Sequence, residues 1–87
     1  MTHYVVLCDW AVNFDNGYQR ECHVTGVAHS LEEAKEILAK ASFDEKIYAR
    51  QQNWDMQEDS DMCFYAKEKS DYDVEHVYFY IEEVSAK

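Results

Sequence analysis

Residues 3–12, HYVVLCDWAV, alternate with a two-residue period in which neither face is polar. Tyr4, Val6, Cys8 and Trp10 fall on one side and Val5, Leu7 and Ala11 on the other. A strand apolar on both faces belongs inside a sheet. Residues 18–29, YQRECHVTGVAH, alternate more clearly. Asn16-Gly17 before them supplies the positive φ angles of a tight hairpin, so this second strand is predicted to pair antiparallel with the first. Gly26, late in that strand, marks a bulge or a close backbone approach.

The period then changes. Leu31, Ala34, Ile37, Leu38, Ala41 and Tyr48 recur at helical spacing and predict one buried stripe on a helix over residues 31–51. Ser30 caps it, Glu33 three residues on completes a capping box, and two acids in the first turn suit the helix dipole. Glu36 and Lys40 form a favourable pair on the wet side. Asn53 can adopt the left-handed conformation that ends a helix.

Trp54 and Met56 alternate with Asp55 and Gln57 as a short strand, and EDSD reads as a turn. Over residues 62–66 an extended segment and a single helical turn fit equally, because so few residues carry no period. KEKSDYD reads as a solvated loop. The final strand, VEHVYFYIEEV at residues 74–84, places Val77, Phe79 and Ile81 on one face and His76, Tyr78 and Tyr80 on the other. The expected fold is α+β: one domain over residues 1–87, order ββαββ, a mainly antiparallel sheet of three or four strands with the helix on one face.

One helix covers one face of such a sheet. The other face carries Tyr78 and Tyr80, with Trp10 or its strand neighbours beside them. It must meet water, the 58–73 segment or another molecule. Tyrosine and tryptophan pair apolar area with a polar handle and suit interfaces.

Composition adds charge to this picture. Among 87 residues, 18 acids face 8 bases, a formal net charge of −10. Residues 1–53 carry eight acids and five bases, residues 54–87 ten acids and three bases. A field of that sign repels phosphate and disfavours direct nucleic-acid binding, while it attracts a basic protein surface. MTHYVVLCDW lacks the basic flank of a signal peptide, and no apolar run spans a bilayer. The expectation is a cytoplasmic protein without a membrane segment. Three widely spaced cysteines, Cys8, Cys22 and Cys63, read as reduced, buried thiols rather than a disulfide framework.

The opening YVVLCDWA, the helix start SLEEAKEI, the Asn53-Trp54 exit, EDSD and the closing YIEEV resemble a group of short, acidic, uncharacterised proteins of Gram-positive bacteria, their phages and mobile elements. The resemblance spans most of the chain and its motifs are structural. The group's pattern has glycine before the tryptophan, where this chain has Asn53, and fewer cysteines. It implies the fold and no activity.

Chemistry-bearing motifs are sparse. His3, Cys8, Cys22, His23, His29, Cys63 and His76 show none of the spacings that make a zinc site specific. Cys8 and Cys22 could share a face on neighbouring strands, joined by His76. EDSD lacks the glycine and distal glutamate of a calcium loop, and nucleophile elbows and phosphate-cradling glycines are absent. No catalytic residue, metal or cofactor is assigned.

Two functions remain in view. The first is a non-catalytic inhibitor occupying the basic surface of a nucleic-acid-handling enzyme, as an anti-CRISPR or other anti-defence protein does. Asp55, Glu58, Asp59, Asp61, Asp71, Asp73 and Glu75 would stand in for phosphates, with Tyr72, Tyr78 and Tyr80 as anchors. The second is a self-associating structural or regulatory module, a homodimer made by pairing an edge strand or the uncovered sheet faces, which would bury Tyr78, Tyr80 and Trp10 by symmetry.

Overall fold

The structure, a computed structural model, describes residues 2–14, 17–69 and 75–85, with the backbone alone at positions 13, 14 and 18. Along the chain lie β1 (Thr2–Phe14), β2 (Gly17–Ala28), α1 (Leu31–Gln51), β3 (Asp55–Asp59), β4 (Cys63–Lys67) and β5 (His76–Ser85). They build one five-stranded sheet in the order β2-β1-β5-β4-β3, antiparallel at every pairing. The order ββαβββ therefore adds a strand to the sequence expectation. Residues 63–67 are extended because they pair on both sides, Phe64 opposite Phe79 of β5 and opposite Asp59 of β3. That non-local pairing is invisible to local periodicity. The turn before them is shorter than EDSD, since Glu58 and Asp59 belong to β3. Ser60 closes it, its N–H donating to the Cys63 carbonyl at 2.9 Å and its hydroxyl accepting from the Met62 N–H at 3.3 Å.

The first strand is interior, as its doubly apolar pattern requires, flanked by β2 and β5. The β1–β2 hairpin runs from Tyr4 opposite Ala28 to Phe14 opposite Gly17. Gly17 takes a φ of 138°, open to glycine and strained for other residues, while Asn16 lies outside the described residues. The register slips between Val6 and Leu7, which face Gly26 and Val24 and leave Thr25 as the extra residue of a bulge. Gly26 also meets the helix: a Cβ built there would lie 2.9 Å from Ile37 Cγ2. Both sequence readings of this glycine hold.

The helix has the expected bounds. Ser30 accepts the Glu33 N–H at 3.2 Å. At the other end the Asn53 N–H donates to the Arg50 carbonyl at 3.1 Å and the Trp54 N–H to the Ala49 carbonyl at 2.9 Å, with Asn53 at φ 58°. This is the Schellman pattern, which satisfies carbonyls that the last turn would otherwise orphan. The buried face differs in detail: Ala34, Leu38, Ser42 and Ala49 are buried, whereas Tyr48 is exposed and sets its ring edge-on to Trp54 at 5.5 Å between centroids. Small residues at three of those positions let the helix lie close to the sheet. Ser42 is tolerated there because its hydroxyl donates to the Leu38 carbonyl at 2.7 Å.

Beneath the helix, Val6, Cys8, Phe64, Ala66, Val77 and Phe79 form the core, with Tyr4, Trp10, Ile37, Met56 and Ile81 packed around it. Lys46 and Arg50 bind the helix to β3 through Asp59 at 2.9 and 3.3 Å, and Lys35 reaches Asp61 at 3.3 Å. These pairs, rather than Glu36 with Lys40, carry the helix's electrostatics. A 21-residue helix is about 31 Å long. The 13-residue β1 extends about 43 Å, matching the molecule's long dimension of 43 Å. The helix stops short of the strand it covers.

Candidate functional site

Strand register assigns the face turned away from the helix. Across it run Asp55, Lys67, His76, Ala11 and Arg20 in one row, and Glu58, Tyr65, Tyr78, Asp9 and Cys22 in the next. Cys63, Tyr80, Leu7 and Val24 form a third row, and Glu82, Val5 and Val27 a fourth. No described element packs over these rows. Val24 and Val27 of β2 and Val84 of β5 are 62%, 55% and 47% exposed, so this face carries apolar side chains open to water along β2 and at the end of β5.

Three tyrosines form its centre. Tyr65 and Tyr78 stack at 5.1 Å with their planes 8° apart, and Tyr78 leans on Tyr80 at 4.7 Å. Neighbouring strands hold the first two rings directly opposite, where cross-strand aromatic pairs gain most. All three are half-buried, and no described element packs over them. Burial raises the Tyr78 hydroxyl above its ordinary 10, Cys63 adding to the effect; burial also raises Tyr80, whose next cause is a hydrogen bond with Cys22. Both are neutral, and their hydroxyls donate at physiological pH.

Beside the ladder, Asp9 accepts from Arg20 at 2.9 and 3.3 Å and lies 3.4 Å from His76 Nε2. The Arg20 hydrogen bond holds the Asp9 carboxyl below its usual value, against partial burial and with help from His76. The histidine of the closing strand is thus tied to β1 and supports the edge of Tyr65, 6.1 Å away.

The sequence-predicted residues divide between the two faces. Tyr78 and Tyr80 meet on the open face, with Asp55 and Glu58 at its β3 margin. Asp59 and Asp61 lie with the helix cations instead. Asp71, Tyr72 and Asp73 lie outside the described residues, and Glu75 sits just before β5. Trp10 does not join the tyrosines: opposite Val77, it belongs to the helix side and stacks on His23 at 5.9 Å. Its neighbours Leu7 and Ala11 take the face turned away from the helix, where Ala11 is fully buried. Tyr65 is the residue that sequence reasoning missed. The alternation in CFYAK would have found it, had residues 63–67 been read as a strand.

Cys8 and Cys22 do not share a face, because Cys22 pairs with Asp9 and so points away from Cys8. All three cysteines are free, and Cys22 is exposed rather than buried. Burial pushes the Cys8 thiol up to about 11, with Glu45 adding to it, and burial also raises Cys63. Both stay protonated at neutral pH and are poor nucleophiles. Among the described residues no three of the His, Cys, Asp and Glu side chains converge as metal ligands. None of the described helices is long and apolar enough to cross a membrane.

A concavity opens on the helix side, between the second half of α1 and the strands beneath it. It has a volume of about 680 Å³ and is walled by Trp10, Tyr48 and Trp54 over a floor that includes Cys8 and Val77, with Asp44, Glu45 and Glu75 among its lining residues.

No protein family, no curated protein and no solved structure matches the chain. Geometry alone bears on function.

Proposed function

We propose that this protein is a small, acidic, non-catalytic interaction module that docks onto a basic protein surface through the open face of its sheet. The observation that carries this reading is the Tyr65–Tyr78–Tyr80 ladder, which no described element covers, beside Leu7, Val24 and Val27. A contiguous apolar and aromatic patch on one subunit marks a contact, and such rings, rich in area and poor in rotamer entropy, are the usual anchors.

Charge supports a basic partner. A formal −10 steers cationic surfaces toward the molecule and repels a second copy. Asp55 and Glu58 flank the ladder on the β3 side and Glu82 on another, so carboxylates frame the aromatic centre. Asp59 and Asp61, already paired with helix cations, contribute less. The groove of a nucleic-acid-handling enzyme, including a defence nuclease blocked by an anti-CRISPR-type inhibitor, is one surface of this chemistry. Self-association through the same face is the second reading, favoured by the exposed valines and opposed by the charge.

Capture from lysate at low salt, with elution on a rising salt gradient, tests the class. The expected result is a basic protein that leaves between low and moderate salt. It should be retained about tenfold less by a Tyr65→Ser/Tyr78→Ser/Tyr80→Ser variant. A complex indifferent to salt and to the three rings overturns the proposal. A dimeric mass in solution that the triple substitution dissolves would favour the second reading.

A further inference from the structure

We infer that the cleft between the second half of α1 and the strands beneath it is a binding site for a small organic cation bearing a substituted ammonium group. The cleft opens between Asp44, Glu45 and Tyr48 of α1, Trp54 just past the Asn53 turn, and Cys8, Trp10 and Val12 of β1. The resulting hollow of about 680 Å³ is the size of a small-ligand pocket.

The lining selects the ligand's chemistry. Three electron-rich rings, Trp10, Tyr48 and Trp54, surround the space, and Tyr48 and Trp54 meet edge to face at 5.5 Å. Aromatic faces attract cations through their quadrupole, most strongly tryptophan. Asp44, Glu45 and Glu75 lie on the lining with His76 beside them, and no lysine or arginine does. Among the described residues Asp44 and Glu45 make no ion pair, unlike Asp59 and Asp61 nearby on the helix side. The floor, with Cys8 protonated and Val77 apolar, offers the body of such a ligand a surface without charge. An anion meets the like charges of Asp44 and Glu45 here, and a neutral molecule gains nothing from them. An alkylated ammonium uses both features, burying methyl groups against the rings while the carboxylates balance its charge at close range.

The site lies on the opposite face of the sheet from the tyrosine ladder and stands independently of the docking reading. The probe is choline, compared with its neutral isostere 3,3-dimethyl-1-butanol, by tryptophan fluorescence and by amide shifts in two-dimensional NMR of the full chain. Choline is expected to shift Trp10, Tyr48 and Trp54 saturably, and the isostere to do so at least about fivefold more weakly. Asp44 and Glu45 are exposed on the helix, so D44N/E45Q should fold normally and weaken choline about tenfold. Trp54→Leu, checked for an unchanged far-UV spectrum, should abolish the response. Equal binding of choline and the isostere, no saturable shift up to the millimolar range, or shifts that map to Tyr65 and Tyr78 instead would each overturn the inference.

Discussion

The two faces of this sheet are built from the same strands and have opposite fates. On the helix side, Phe64, Val6 and Phe79 are sealed under α1, and even polar Ser42 is satisfied within the helix. On the other side, Tyr65, Tyr78 and Tyr80 stack on one another with no described element over them, and Val24 and Val27 face water. Successive residues of one strand, Phe64 and Tyr65, stand for the contrast. The covered residue serves the fold, and its neighbour is left with unspent apolar surface. A sheet that needed only to fold would place charged or small polar residues there.

The sharpest way to break the comparison is to remove one ring from each face. Phe64→Ala leaves a void in a core that cannot collapse, and should cost about 3–5 kcal/mol in urea unfolding. Tyr65→Ala should cost about 1 kcal/mol or less, as expected for a cross-strand pair with a wet side. Similar costs for the two would mean that the tyrosine face is covered as well.

Next in size is the helix–sheet contact at Gly26. A methyl group there meets the stiff, β-branched Ile37 at 2.9 Å, so Gly26→Ala should destabilise by about 1–3 kcal/mol. Combining it with Ile37→Ala should cost less than the two single changes together, because both act on one gap. Strict additivity would place the helix farther from β2.

The acid limb sharpens the open face. The folded-state pKa of Asp9 is depressed, chiefly by the Arg20 hydrogen bond, below its ordinary 3.8. Such a carboxylate stabilises the fold above its unfolded pKa, and the contribution is lost as pH falls through the lower, folded value. Asp9→Asn should therefore be less stable than the natural chain at neutral pH, by a modest amount at so exposed a pair. The gap should close as pH drops below about 4, read by denaturant midpoints across a pH series. A gap constant with pH would mean that Asp9 is not held by Arg20 and His76.

Smallest is the helix exit. Asn53 sits at φ 58°, where glycine is free of the Cβ cost, so Asn53→Gly should stabilise by up to about 1 kcal/mol, while Asn53→Ala should destabilise. A shift of the thermal midpoint in the opposite order would rule out the left-handed cap.

Much of this was legible beforehand because the signals were local. Ser30 and Glu33 set the helix start, Asn53 its end, and the doubly apolar HYVVLCDWAV placed β1 inside the sheet. What escaped was decided across the chain. CFYAK is extended because β5 and β3 pair with it, and without that strand Tyr65 could not be set beside Tyr78. The direction of Trp10 followed from its register opposite Val77, which no single-strand alternation supplies. Acidity was visible as a total, yet its partition was not. Asp59 and Asp61 are neutralised by Lys46, Arg50 and Lys35 from a helix nine or more residues away in the chain, while among the described residues Asp44 and Glu45 on that helix make no ion pair beside the aromatic cleft.

The open sheet face is the centre of the account, and mapping a captured basic partner onto the isotope-labelled protein by NMR tests it most directly. The predicted outcome is a footprint of shifted and broadened signals over Leu7, Val24, Tyr65, Tyr78 and Tyr80, leaving Ala34, Leu38 and Ala49 of the helix unmoved. A footprint confined to the helix side, with the tyrosine signals unchanged, would contradict it.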